Sequence, residues 1–408
     1  MTSWRTELRD MLAELAGRAR DAAGAVERLV DRDPYHVVGY RGYGTPERAL
    51  VLGRVLQDEG LAPPDPRQSR WLNLVAALKR LESDPLPFAR VRARLHDAER
   101  EIVADDEGFV RAWLELPRPV AAHGWTRAEL ELRAPDGATR RATSHILVPP
   151  STAAFGVVSD MDDTVLQSRV TSFLRAARLV LLENALTRLP FPGVAAFYRA
   201  LERGTGAASR GNPIFYVSSS PWNLYEVIAG FIEAQGIPAG PLLLRDWDLG
   251  ALAGRHQAHK GAAIREILEG YPALPFILIG DSGQEDPEIY ASLVREHPGR
   301  ILAIYIRNVT PFPERSASIR ALAAEVAAHG SALVLADDTL AAARHAAAHG
   351  WITEDALPEI GEEKRADEGT TPAKAAAPGT PEPGASPTVV VDQQVPAREI
   401  TKPDPPPA

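Results

Sequence analysis

The chain has 408 residues, enough for two or three domains with cores of their own. Asp and Glu number 54 against 45 Lys and Arg, and the net charge of −9 argues against bulk nucleic acid as a main partner. Cysteine is absent, which excludes disulfides, zinc–thiolate centres and cysteine nucleophiles. No apolar run reaches the ~18–20 residues that span a bilayer. The charged start, MTSWRTELRDML, lacks a signal-peptide core. The expectation is a soluble, cytoplasmic protein, with peripheral membrane contact left open.

Residues 4 to 30 read as one amphipathic helix. Trp4, Leu8, Leu12, Leu15, Ala19, Ala22, Val26 and Val30 recur every three or four positions, and Asp33-Pro34 stops it. This helix, segment 1–34, is expected to pack on the next domain. Gly39-Tyr-Arg-Gly-Tyr-Gly44 lacks the Lys-Ser/Thr of a phosphate loop and reads as turn chemistry. From about 49 to 148 the period is two. Val51–Val55, Val91–Leu95, Val110–Leu114 and Arg127–Arg133 alternate, with turns at Asp105–Gly108 and Pro135–Gly137. One helix, Gln68 to Glu82, interrupts them. The pattern predicts a small antiparallel β-sandwich-like domain over 35–150. It holds no cluster of catalytic residue types, so docking or support is its expected role.

Over 151–358 the pattern changes to apolar strands separated by helices: Phe155–Val158, Ile214–Val217, Phe276–Ile279, Ile301–Ile306 and Ala332–Leu335. Such alternation predicts a doubly wound parallel sheet covered on both faces, with ligands beyond the carboxyl ends of its strands. Residues 359–408, rich in proline and alanine, are too poor in apolar side chains to fold and are expected to be disordered.

The polar clusters sit at those strand ends. Asp160, Asp162 and Asp163 fall within four residues of one another. Crowded carboxylates repel, and a hard cation such as magnesium relieves that. After the second strand comes Ser218-Ser-Ser-Pro-Trp-Asn-Leu-Tyr225. Ser220 suits an N-cap and Pro221 a first helical residue, so the free N–H groups of a helix start would favour an anion there. An ordinary capped helix needs only one of the three serines. His259-Lys260-Gly261 precedes the third strand, which delivers Gly280-Asp-Ser-Gly-Gln-Glu-Asp-Pro-Glu-Ile-Tyr290. Asp286-Pro287 also reads as a simple helix start, whereas Asp281 stands at the strand end itself.

These four pieces, in this order, resemble the haloacid-dehalogenase superfamily of phosphatases. DMDDTV, YVSSSPWNLY, HK and IGDSGQEDPEIY are similar to the catalytic domain of the actin-patch-type phosphatidate phosphatases and their bacterial relatives. The likeness is close over about 155–310, loose over the β-rich region, and absent from the tail. It implies an α/β, Rossmann-like haloacid-dehalogenase fold with a minimal cap after the β-sandwich, and a hydrolase of phosphoric monoesters. It implies Asp160 as nucleophile through an aspartyl-phosphate and Asp162 as general acid and base. Thr164, Ser218 and Ser219 would bind the phosphoryl oxygens, and Lys260 would neutralise charge. Asp160, Asp162, Asp281 and Asp286 would hold Mg2+.

About fifty residues separate the first and second motifs and about forty the second and third, too few for a full cap domain. The site is therefore expected to be open, suiting phosphate on a large or membrane-embedded molecule. Phe173–Leu186 is apolar enough for core packing or for docking on lipid. The leading expectation is a magnesium-dependent phosphatidate phosphatase with a phosphate-bearing lipid substrate. A soluble phosphomonoester, or a scaffold built on a phosphatase-like core, remain the alternatives.

Overall fold

The computed structural model describes residues 34–57, 85–120, 124–161, 192–206, 211–245, 255–309, 312–370 and 389–391. The helices expected over 4–30 and Gln68–Glu82, the apolar segment Phe173–Leu186, and Asp162, Asp163 and Thr164 lie outside them.

The first seven strands are β1 (Tyr35–Gly44), β2 (Arg48–Gln57), β3 (Arg90–Leu95), β4 (Ala98–Val103), β5 (Phe109–Glu115), β6 (Gly124–Arg133) and β7 (Thr139–Val148). They form one sheet in the order β4-β3-β6-β7-β1-β2-β5. All neighbours are antiparallel except β1 and β7, which run parallel. The edge strands β4 and β5 curl back towards each other, and Arg100 Nη1 donates across to the Trp113 carbonyl at 2.8 Å.

The glycines expected to make turns at 39–44 lie within β1 instead. A Cβ there would meet a neighbouring strand's carbonyl oxygen at 2.2 Å from Gly39 and 2.0 Å from Gly42, so only glycine lets these strands approach. Strand β2 is buried along almost its whole length, because it serves two cores. Val51 and Val55 face the interior of this sheet with Val91, Leu130 and Ile146. Leu50 and Leu52, with Tyr40 and Tyr43 of β1, join the core of the second sheet.

The second sheet comprises β8 (Gly156–Asp160), β9 (Ile214–Pro221), β10 (Leu242–Arg245), β11 (Phe276–Asp281), β12 (Ile301–Arg307), β13 (Ala332–Ala336) and β14 (Val389–Val391), ordered β10-β9-β8-β11-β12-β13-β14. Six strands are parallel, and β14 closes the edge antiparallel to β13. The helices are α1 (Val194–Arg203), α2 (Tyr225–Ala234), α3 (Arg255–Gly270), α4 (Asp286–Glu296), α5 (Pro313–Ala328), α6 (Thr339–Ala348) and α7 (Ala356–Thr370). Six of them pack as two groups, α1 with α6 and α7, and α3 with α4 and α5.

The expected fold class is thus corrected. In place of a β-sandwich stands one mixed, nearly barrel-closed sheet, since the parallel β1–β7 pairing joins strands that a sandwich would place on two layers. The second sheet does not reproduce a purely parallel, minimal-cap Rossmann-like haloacid-dehalogenase architecture either, because its edge is an antiparallel strand from the far end of the chain. The tail also differs from expectation at its start. Helix α7 runs on to Thr370, since Ile360 is fully buried and its acidic face meets α1. Among the described residues no helix is long and apolar enough to cross a membrane.

Candidate active site

Strand register brings the polar clusters together. Pairing of β8 with β9 sets Asp160 opposite Val217, one residue before Ser218. Pairing with β11 sets Ser159 opposite Ile279, two residues before Asp281. Asp160, Ser218 and Asp281 therefore leave three adjacent strands side by side at the carboxyl edge.

Lys260 reaches this edge from α3 with only 3 % of its side chain exposed. Its Nζ lies 2.8 Å from Asp160 Oδ1 and donates to Asp286 Oδ1 at 2.6 Å. A buried ammonium between two buried carboxylates is tolerable because each charge finds its opposite. The other oxygen of Asp286, Oδ2, accepts from the Asp281 N–H at 3.1 Å, so both its oxygens are engaged. Asp286 is the first residue of α4, and its carboxylate turns back beneath the strand end rather than capping the helix. This requires glycine at 280, where a Cβ would stand 2.4 Å from Asp286 Oδ2.

Asp281 Oδ1 accepts from the backbone N–H groups of Gly283 at 2.7 Å and Gln284 at 3.2 Å. Burial, and then the negative charge of Asp286, push its carboxyl from 3.8 up to about 6. Arg315 of α5 holds the same loop, donating to the Ser282 carbonyl at 2.9 Å, to the Gln284 carbonyl and to both oxygens of Glu288. Beneath the site, Ser159 Oγ lies 2.7 Å from the Tyr198 hydroxyl, and the Tyr290 hydroxyl donates to the Ile279 carbonyl at 3.1 Å.

The second strand ends otherwise than expected. Strand β9 continues through Ser218, Ser219 and Ser220 to Pro221, which is extended at φ −71° and ψ 151°. A 3-10 turn, Trp222–Leu224, follows, and α2 begins only at Tyr225. Ser220 is therefore no N-cap. Its N–H donates to the Ser218 hydroxyl at 3.0 Å, making a tight serine turn at the rim.

The structure thus brings together Asp160, Lys260, Asp281 and Asp286, with Ser218 and Ser219 on the neighbouring strand; Asp162 and Thr164 lie outside the described residues. Sequence reasoning missed Gly280, Tyr198 and Arg315. Gly280 carried a signal, a glycine inside an apolar strand just before an acid. Asp160, Asp281 and Asp286 each offer an oxygen within 4.8 Å of the others. Three carboxylates against one ammonium leave a net of two negative charges, and this all-oxygen donor set fits a hard divalent cation.

Residues 155–308 match the family model described as the catalytic domain of phosphatidate phosphatase APP1, which bears out the resemblance stated from the motifs. The phosphatidate phosphatase APP1 of Saccharomyces cerevisiae is 31 % identical over 155 residues, which is 37 % of this chain and 25 % of that protein. An uncharacterized protein of Schizosaccharomyces pombe is 28 % identical over 156 residues, 38 % of this chain and 25 % of its own. The chain therefore spans about a quarter of the length of these curated relatives. Among solved structures, a carbohydrate acetylesterase from Xanthomonas citri aligns with 65 % of this chain and 66 % of its own at a TM-score of 0.22 and 13 % identity.

Proposed function

We propose that this chain, which carries a catalytic domain of the APP1 type over residues 155–308, is a phosphatidate phosphatase releasing phosphate and diacylglycerol. The observation that carries the reading is Lys260, buried between Asp160 and Asp286 at the carboxyl edge of the matched segment.

In this reading Asp160 attacks phosphorus, forming an aspartyl-phosphate and splitting hydrolysis into two easier displacements. Asp162 gives a proton to the leaving alkoxide and then takes one from water. Lys260 offsets negative charge that builds up on Asp160 and on the phosphoryl oxygens. Ser218 and Ser219 orient those oxygens from the adjacent strand, and Thr164 is assigned the same role. Asp286 also organises the site, fixing Lys260 through one oxygen and the Asp281 amide through the other. Magnesium, held by Asp160, Asp281 and Asp286 with Asp162, would neutralise the charge that otherwise repels a phosphate dianion from this acidic rim.

A phosphate-release assay tests this with phosphatidate in detergent micelles beside glycerol phosphate and a nucleoside monophosphate, each with magnesium and with EDTA. The reading expects release from phosphatidate that requires magnesium. Preference for either soluble ester would overturn the lipid substrate, and undiminished activity in EDTA would overturn the metal.

A further inference from the structure

Arg54, on β2 of the first sheet, is an arginine only 7 % exposed. Its guanidinium lies 4.3 Å over the Phe109 ring, and Nε donates to the Glu107 carbonyl at 2.9 Å. From that fixed position Nη1 crosses to the second sheet and donates to Asn223 Oδ1 at 2.5 Å. Asn223 is the middle residue of the turn Trp222–Leu224, five residues beyond Ser218 on the same uninterrupted stretch.

The rest of that turn is held the same way. Trp222 stacks on Tyr40 at 5.1 Å between ring centres and leans on Phe109 at 5.6 Å. The Tyr225 ring sits 4.3 Å from Tyr40, and its hydroxyl accepts from the Arg41 N–H at 2.7 Å. Neither the turn nor α2 has a side-chain cap of its own. Its partners on β1, β2 and β5 hold it from outside.

Resting on the proposed reading of the site, we propose that the first sheet positions the phosphate-binding end of β9, and that Arg54, through Asn223, is a positioning residue for the reaction. It touches no reacting atom. A guanidinium with several hydrogen bonds and a ring beneath it cannot drift, so the turn it grips cannot drift either. Ser218 and Ser219, anchored below by β9 pairing and above by this turn, are held where the phosphoryl group must sit. Small displacements of such a group are costly in rate and binding.

The test uses the full chain carrying Arg54→Met, Asn223→Ala, or both. With a small chromogenic phosphoester and magnesium, each single variant should raise KM, and the inhibition constant for inorganic phosphate, by about tenfold. The double variant should do little more, since both remove one link. Peptides covering 218–225 should exchange amide hydrogen faster in each variant, while those covering 276–281 keep their protection. A purely structural role would lower the amount of active enzyme and hence Vmax, leaving KM, phosphate inhibition and local exchange unchanged. That result overturns the proposal. Should Arg54→Met fail to fold, Asn223→Ala, at a half-buried turn position, decides alone. A wild type that releases phosphate from no ester overturns the reading of the site, and hydrogen exchange then decides the positioning by itself.

Discussion

At Gly280 the strand passes so close to Asp286 that a single methyl group has nowhere to go. Gly280→Ala would set a carbon 2.4 Å from Asp286 Oδ2 and 2.8 Å from its Cβ, forcing the carboxylate off Lys260. The expected result is a loss of about 1–3 kcal/mol in stability together with most of the activity. Denaturant unfolding and phosphate release measure the two, and an unchanged enzyme would mean the carboxylate need not lie there. Asp281 gives a pH signature. Its carboxyl is raised to about 6, so the folded state binds more protons than the unfolded one between about 4 and 6. Its contribution to stability therefore falls as pH rises through that window and stays unfavourable above it. Asp281→Asn should raise the metal-free melting temperature at pH 7, and magnesium should raise that of the wild type but not of the variant. A lower melting temperature in the variant would contradict this. Asp160 and Asp281 were legible as carboxylates at strand ends, whereas Lys260, by itself a surface cation, took its role only from the family resemblance. Arg54 was not legible, because an arginine in an alternating strand reads as a solvent-facing residue until its neighbour across the molecule is known.

Helix α7 shows how far an element's role can depart from its composition. Its acidic residues serve α1 as caps from outside: Glu363 Oε1 accepts from the Ala196 N–H and Asp367 Oδ2 from the Gly193 N–H, both at 2.7 Å. Glu363 also accepts from Arg199 at 2.6 Å, and Lys364 donates to Asp338 at 2.7 Å. Glu363→Ala should cost about 1–2 kcal/mol, a cap's worth, with little effect on turnover per folded molecule. Ending the chain after Asp355 should lower the melting temperature, while ending it after Thr370 should spare α7 and most of that loss. Equal melting temperatures for the two would show that α7 contributes nothing. Proline, alanine and charge made this stretch look unable to fold because its partners, Arg199 and the start of α1, lie more than 150 residues earlier. The glycines of β1 misled for a related reason. Their need is set by strands β2 and β7, which no local pattern reveals.

For the molecule as a whole, the two sheets share a core. Tyr43 of the first sheet is fully buried, edge-on to Phe215 of the second at 5.5 Å. Tyr271, the residue just after α3, donates to the Gly44 carbonyl at 3.0 Å, and Arg111 pairs with Glu266 of α3, the helix that carries Lys260. Tyr43→Ala should cost about 3–5 kcal/mol and shift a single cooperative unfolding transition. Two separate transitions would show that the sheets fold independently. The central claim is that Asp160, held against Lys260, takes the phosphoryl group. Its most direct test is phosphate release from phosphatidate with magnesium by wild type and by Asp160→Asn, whose shape is kept while its nucleophile is gone. Turnover in the variant should fall by orders of magnitude with the melting temperature preserved. A variant retaining more than about a tenth of wild-type activity would contradict the account, because loss of a nucleophile cannot be that mild.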